Sequence, residues 1–221
     1  MTIFHVTWKN RLVVNCLPEA EKELKSVLLR KGEDCRGIEL PEERVAEIRK
    51  ECQNVGMEIE QAMSLRRHYK KLEAYRQHGF MIPVDQIGIG TEAKQKQHAD
   101  KIEAAMAFTL DTLKIPYTRN QPPNRGPDFM LHGHVYINDR EVKWIEVKSF
   151  YACASLTSRK LGVGRVPDIA KRYQNEYGPG CIAFSCGFHQ AFANSLHAKA
   201  SDVTLLDCSK ETLDTVLVEH E

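Results

Sequence analysis

Asp128, Glu146 and Lys148 are the residue types that hydrolysis of a phosphodiester calls for. Two carboxylates supply hard oxygen ligands for Mg²⁺ or Mn²⁺, and a lysine steadies the attacking water or the charge that gathers at phosphorus. They occur as Pro127-Asp128 at the head of one strand-like run and as Glu146-Val147-Lys148 within the next. Neither group is specific alone, because Pro-Asp starts many turns and Glu-x-Lys is commonly a solvated pair. Their meaning depends on whether the chain brings them to one face.

Period-two alternation predicts that it does. Phe129, Leu131, Val135 and Ile137 share one parity, while Asp128, Met130, His132, His134 and Tyr136 take the other, so the run reads as a strand. From Glu141 to Phe150, Ile145 and Val147 alternate with Trp144, Glu146 and Lys148, as in a returning strand after a turn near Asn138-Asp139-Arg140. Residues facing each other across an antiparallel ladder lie on one side of the sheet. A three-residue loop, or a two-residue loop with one bulge, therefore aligns the apolar sets and gathers Asp128, Glu146 and Lys148. A plain two-residue turn pairing Ile137 with Arg140 would set Asp128 opposite Ser149 and part the carboxylates. Trp144 reads as a core residue, and His132 and His134 as strand-surface residues that have the chemistry for phosphate contact or proton transfer.

The elements around this hairpin follow from apolar spacing. A helix from about Thr91 to Lys114, with Thr91 as a cap, carries Ile102, Met106, Leu110 and Leu113 as its buried stripe. After the hairpin, Lys160 to Arg165 is glycine-containing but lacks phosphate-loop spacing and reads as a connection. Pro167-Asp168 reads as the start of a helix bearing Ile169, Tyr173 and Tyr177, which Gly178-Pro179 ends. Cys181 to Phe184 and Val203 to Leu206 read as further strands, the second of them the last. Arg159, Lys160, Arg165, Lys171 and Arg172 could flank a nucleic-acid path, though each alone reads as a surface charge.

At 221 residues the chain divides best into an N-terminal helical region, residues 1–88, and an α/β domain, residues 89–221. Helices are expected over Pro18 to Arg30, Pro41 to Cys52 and Met57 to His78, with Pro83 and Gly88-Ile89-Gly90 closing the unit. The last two, joined by a glycine-containing turn, suggest a helix-turn-helix in which Arg66, Arg67, Lys70 and Lys71 meet a phosphate backbone. The formal charge of +1 requires any affinity for nucleic acid to come from such local patches. Seven cysteines without a Cys-x-x-Cys pair suit a reducing compartment, and zinc is not indicated. No secretory signal or run of about 18 apolar residues is evident, so a soluble intracellular protein is expected.

The order of long helix, strand, Pro-Asp strand, Glu-x-Lys strand, helix and further strand resembles the PD-(D/E)XK nuclease superfamily. More narrowly, Pro127-Asp128-Phe129, Trp144 to Lys148, Tyr177-Gly178-Pro179-Gly180 and Gly187-Phe188 resemble the family of the codanin-interacting nuclease, also described by a Thr-Pro-Asp motif. The likeness runs from the helix before Tyr117 to Phe188. It implies a restriction-endonuclease-like mixed sheet flanked by helices, Mg²⁺- or Mn²⁺-dependent cleavage of DNA, a nuclear or cytoplasmic setting and a codanin-like partner. Carried over, it assigns the metal to Asp128 and Glu146, joined by the Val147 carbonyl, and water activation to Lys148. An acid on the preceding helix often completes such a shell; Glu103, about three turns before Pro116-Tyr117, is the first choice and Glu92 the second.

The chain departs from that pattern at Gly126, where the motif has threonine, at Ile169, where a related sequence has glutamine, and over residues 149–165, where little matches. Two other expectations stand beside the nuclease. One keeps the fold as a codanin-binding protein with vestigial carboxylates; the other is a nucleic-acid-binding helix-turn-helix protein whose α/β domain supports dimerisation.

Overall fold

The computed structural model describes residues 2–10, 24–30, 40–78, 92–120, 126–153, 162–209 and 213–220. The chain forms two compact units, Val13–His98 on one hand and Met1–Leu12 with Ala99–Glu221 on the other. The division expected at residue 88 therefore misses that the first residues belong with the α/β unit. The cap at Thr91, the closing segment around Pro83 and Gly88, and Arg159 and Lys160 lie outside the described residues.

In the helical unit, residues 24–28 are helical, followed by α1 (Glu42–Val55) and α2 (Ile59–His78). Leu24, Leu28, Ile48, Cys52, Ala62, Leu65 and Tyr69 are buried at helical spacing. Gly56 stops α1 because it adopts φ 66°, which glycine enters without a Cβ penalty. Its amide donates to the Gln53 carbonyl and that of Met57 to the Cys52 carbonyl, so two last-turn acceptors are satisfied before α2 begins.

The larger unit is α/β. In chain order it holds β1 (Thr2–Trp8), the part of α3 (Glu92–Thr112) from Ala99 onward, β2 (Tyr117–Arg119), β3 (Phe129–Leu131), β4 (His134–Ile137), β5 (Arg140–Glu141), β6 (Trp144–Lys148), α4 (Gly162–Tyr177), β7 (Gly180–Phe184), α5 (Gln190–His197), β8 (Val203–Asp207) and β9 (Leu213–His220). Two mixed sheets result, ordered β5-β4-β1-β9 and β2-β3-β6-β7-β8. β6 runs antiparallel to β3 and parallel to β7, and β8 continues parallel. Val203–Asp207 is thus not the final strand, since β9 follows and pairs with β1.

One core joins the two sheets. Phe129, Leu131, Ile145, Val147, Cys181, Ala183 and Leu206 cluster with Phe4, Val6, Val135 and Ile137 and with Met106 and Leu110 of α3. Ile102 and Leu113 pack at its margin, as their spacing predicts. The opposite face of the five-stranded sheet is covered by α4 and α5: Trp144 meets Tyr173 edge-on at 5.4 Å, and Phe184 meets Phe192 at 5.6 Å. With both faces covered, β6 and β7 are buried almost throughout, so their sequence reads as a continuous apolar run broken by the glutamate.

α4 begins at Gly162, which corrects the reading of Lys160 to Arg165 as a connection and of Pro167 as the helix start. Pro167 lies inside the helix, in its second turn, where its missing N–H forgoes a backbone bond. No described helix is long and apolar enough to cross a membrane.

Candidate active site

The turn between β4 and β5 is the two-residue kind that would have parted the carboxylates. Ile137 pairs with Arg140, and Asn138 and Asp139 adopt φ 50° and 62°, the left-handed pair that suits a tight hairpin. The expected continuous strand is instead two strands. Gly133, at φ 89°, lets the chain leave one sheet for the other. The Val142 amide donates to the Val135 carbonyl and the Leu131 amide to the Lys143 carbonyl, so His132, Gly133 and His134 are extra residues with no counterpart on the returning β5–β6 segment. That odd insertion restores the parity: Phe129 pairs with Ile145 and Met130 with Trp144, which carries Asp128 to Glu146.

Contacts at that point are direct. The Asp128 amide donates to Glu146 Oε2 at 3.3 Å, and Asp128 Oδ2 accepts from the Val147 amide at 2.7 Å. Lys148 Nζ is paired with Glu146 Oε1. Asp128 is half-buried and Glu146 buried, and Lys148 keeps one-fifth of its side chain exposed. Burial, followed by the adjacent charge of Glu146, pushes the Asp128 carboxyl up to about 7, against the pull of the Val147 amide and Lys148.

Glu103 stands apart from this trio in contact though not in field. Its Oε2 accepts from Arg119 Nη2 at 2.9 Å, and its charge adds to the upward push on Asp128. Among the described residues no three His, Cys, Asp or Glu side chains form a ready metal cluster. The expected set thus reduces to two carboxylates in contact, the Val147 peptide beside them and Glu103 held by an arginine. Glu92's side chain lies outside the described set.

His132 and His134 do not join the carboxylates. His132 Nε2 lies 2.6 Å from Thr118 Oγ1, and His134 Nδ1 lies 4.0 Å from Glu141. The basic residues of α2 do not form one exposed stripe either: Arg66 and Lys70 are buried, Arg67 is exposed, and the Lys71 side chain lies outside the described set. A buried cation cannot meet a phosphate backbone without leaving its place, which corrects the assignment of Arg66 and Lys70 to nucleic acid.

Sequence reasoning missed Asn120 and the role of Tyr173. The Asn120 amide donates to the Asp128 carbonyl at 2.8 Å, fixing the aspartate from the β2 side. Tyr173 donates its hydroxyl to the Gly126 carbonyl at 3.0 Å, which anchors the segment just before Pro127-Asp128. Burial and the charge of Glu146 hold that hydroxyl up at about 12, so it remains a donor. The signal for Tyr173 was its four-residue spacing with Tyr177, which also fits plain packing; Asn120 carried none.

Gly180 is explained by the same wall. A Cβ there would lie 2.0 Å from the Trp144 ring, whose Nε1 donates to the Gly178 carbonyl at 2.9 Å. Trp144, Gly178 and Gly180 are thus one interlocking unit that seats the strand bearing Glu146. Those residues, with the Pro-Asp element, fall within residues 51–209, which match the family model described as protein of unknown function, TPD sequence-motif. The chain belongs to that family. In this TPD-motif protein a Cβ at Gly126, the residue before Pro127-Asp128, would meet Asn120 Nδ2 at 2.8 Å. Searches of curated proteins and of solved structures found no match.

Proposed function

We propose that the protein is a divalent-metal-dependent nuclease of the PD-(D/E)XK type, acting on DNA, with Asp128, Glu146 and Lys148 as its catalytic residues. The observation that carries this reading is the meeting of Asp128 and Glu146 across adjacent strands, with Lys148 on the glutamate. Two carboxylates placed together where one is strongly desolvated form a site deficient in positive charge, and their oxygens match the preference of Mg²⁺ or Mn²⁺.

The donor set fits such an ion: Asp128 and Glu146 would hold it, the Val147 carbonyl would be a further oxygen on the same strand, and Glu103, now bonded to Arg119, adds its charge to the field at Asp128. Bound there, the ion supplies positive charge to the phosphoryl oxygens and acidity to water. The chain's own groups do the rest. Lys148 orients the attacking water and offsets charge at phosphorus, while the Val147 and Asn120 amides keep Asp128 aimed. The mixed order β2-β3-β6-β7-β8 supports a restriction-endonuclease-like sheet, with Glu146 and Lys148 on its central strand and Asp128 just before the neighbouring β3.

Cleavage of labelled DNA and RNA panels with and without Mn²⁺ tests the reading. Glu146→Gln, which keeps the shape of the side chain, is expected to lower cleavage by roughly 10²-fold or more. Equal cleavage by a pure Glu146→Gln, Lys148→Ala double variant would exclude this site.

A further inference from the structure

A cleft of ≈ 630 Å³ opens beside Gly126-Pro127, between β2 and the C-terminal end of α4. Its size suits a nucleotide-sized ligand. Arg119 and Arg172 supply exposed guanidinium groups to its wall, Tyr177 an aromatic ring, and Asn120 an amide. Arg172 Cζ lies over the Tyr173 ring, 4.9 Å from its centre, and Tyr173 in turn bonds the Gly126 carbonyl and meets Tyr177 edge-on at 5.8 Å. The cleft wall is thereby tied to the residues that precede Asp128. Glycine at 126 matters here, because a side chain would press on Asn120 at 2.8 Å and approach the Tyr177 hydroxyl at 3.6 Å.

Resting on the nuclease reading above, we propose that this cleft takes an unpaired nucleotide next to the scissile phosphate, its base against Tyr177 and Arg172 and its backbone phosphate on Arg119 and Arg172. Aromatic and guanidinium planes recognise the face of any base, and that face is accessible only when the base is out of a duplex stack. Glu103 and Glu176 moderate the positive charge, as Arg119 is bonded to the first and Tyr177 to the second. The site therefore selects by stacking as well as by charge. The substrate class this defines is a single-stranded segment or an unpaired end, in preference to intact duplex.

The test is fluorescence anisotropy in Ca²⁺ with a labelled oligothymidylate, an oligouridylate and a blunt duplex, run beside Mn²⁺-dependent cleavage of the same probes. Wild type is expected to bind one or both oligonucleotides more tightly than duplex, the two oligonucleotides separating a DNA from an RNA preference. Tyr177→Ala is expected to lose about tenfold of that affinity and Tyr177→Phe to retain it. Arg172→Ala is expected to weaken binding and reduce the salt slope by about one. Preference for duplex, or oligonucleotide binding by Tyr177→Ala and Arg172→Ala equal to wild type, overturns the proposal. If Glu146→Gln loses cleavage while the cleft variants bind normally, only the cleft assignment falls. If Glu146→Gln cleaves like wild type, the hydrolase reading falls and the binding arm still decides the cleft.

Discussion

The surroundings of Asp128, burial first and the charge of Glu146 second, favour its protonated carboxyl. Its carboxyl ionises near 7 in the folded protein against 3.8 ordinarily, so the native state holds a proton that the unfolded chain has already released. Stability of the metal-free protein should therefore fall as pH rises from about 4 to about 7, and this contribution levels off above that window. Thermal melts in chelator across that range should show the decline in wild type and a flatter profile in Asp128→Asn. Mn²⁺ binding by calorimetry should tighten over the same interval, because metal and proton compete for one carboxylate. Lys148 makes a separable case. It is paired with Glu146, so Lys148→Ala should leave Mn²⁺ affinity unchanged or raised while cleavage drops by roughly 10²-fold. Loss of metal binding in that variant would mean that the lysine organises the ligands rather than the reaction.

The strand that carries Glu146 is seated against a tight glycine wall. Trp144 is fully buried and bonded to the Gly178 carbonyl, so a methyl group added by Gly180→Ala has nowhere to go at 2.0 Å from the ring. A loss of about 3 kcal/mol or more in urea unfolding is expected; a loss under about 1 kcal/mol would show that the wall can relax. How far these elements were legible in the sequence follows from how local their signals are. The shared parity of Phe129, Leu131, Val135 and Ile137, and of Glu146 with Lys148, survives in the structure because alternation is a property of the strand itself. The break at Gly133 was not legible: its φ of 89° is required only because β3 and β4 enter different sheets, a non-local fact. Arg66 and Lys70 misled for a related reason. Helical spacing places them near one another but does not say whether that surface meets water, and burial reverses the meaning of a cation.

At the level of the whole molecule, β1 is the least expected element and an interior strand of its sheet, pairing with β4 on one side and β9 on the other. Phe4 and Val6 are buried in the core shared by both sheets. The end of the strand and the residues after it cover the edge of β8: Trp8 Nε1 donates to the Asp207 carbonyl at 2.9 Å, and Asn10 bonds the backbone of both Leu205 and Asp207. Removing residues 1–10 should cost roughly 3–6 kcal/mol from the two core side chains alone, enough to consume much of a typical domain's stability. A fragment of residues 89–221 is thus expected to lack a cooperative melt and to regain one when a peptide of residues 1–12 is added; a cooperative melt without the peptide would contradict the topology. The pairing of Thr2 with His220 has a bearing on biosynthesis. β1 must wait until Leu213–His220 has been made before its antiparallel neighbour emerges, whereas Val13–His98 is complete long before. During translation that early strand is an open edge seeking a partner, and holding it back from other nascent chains becomes a task for chaperones.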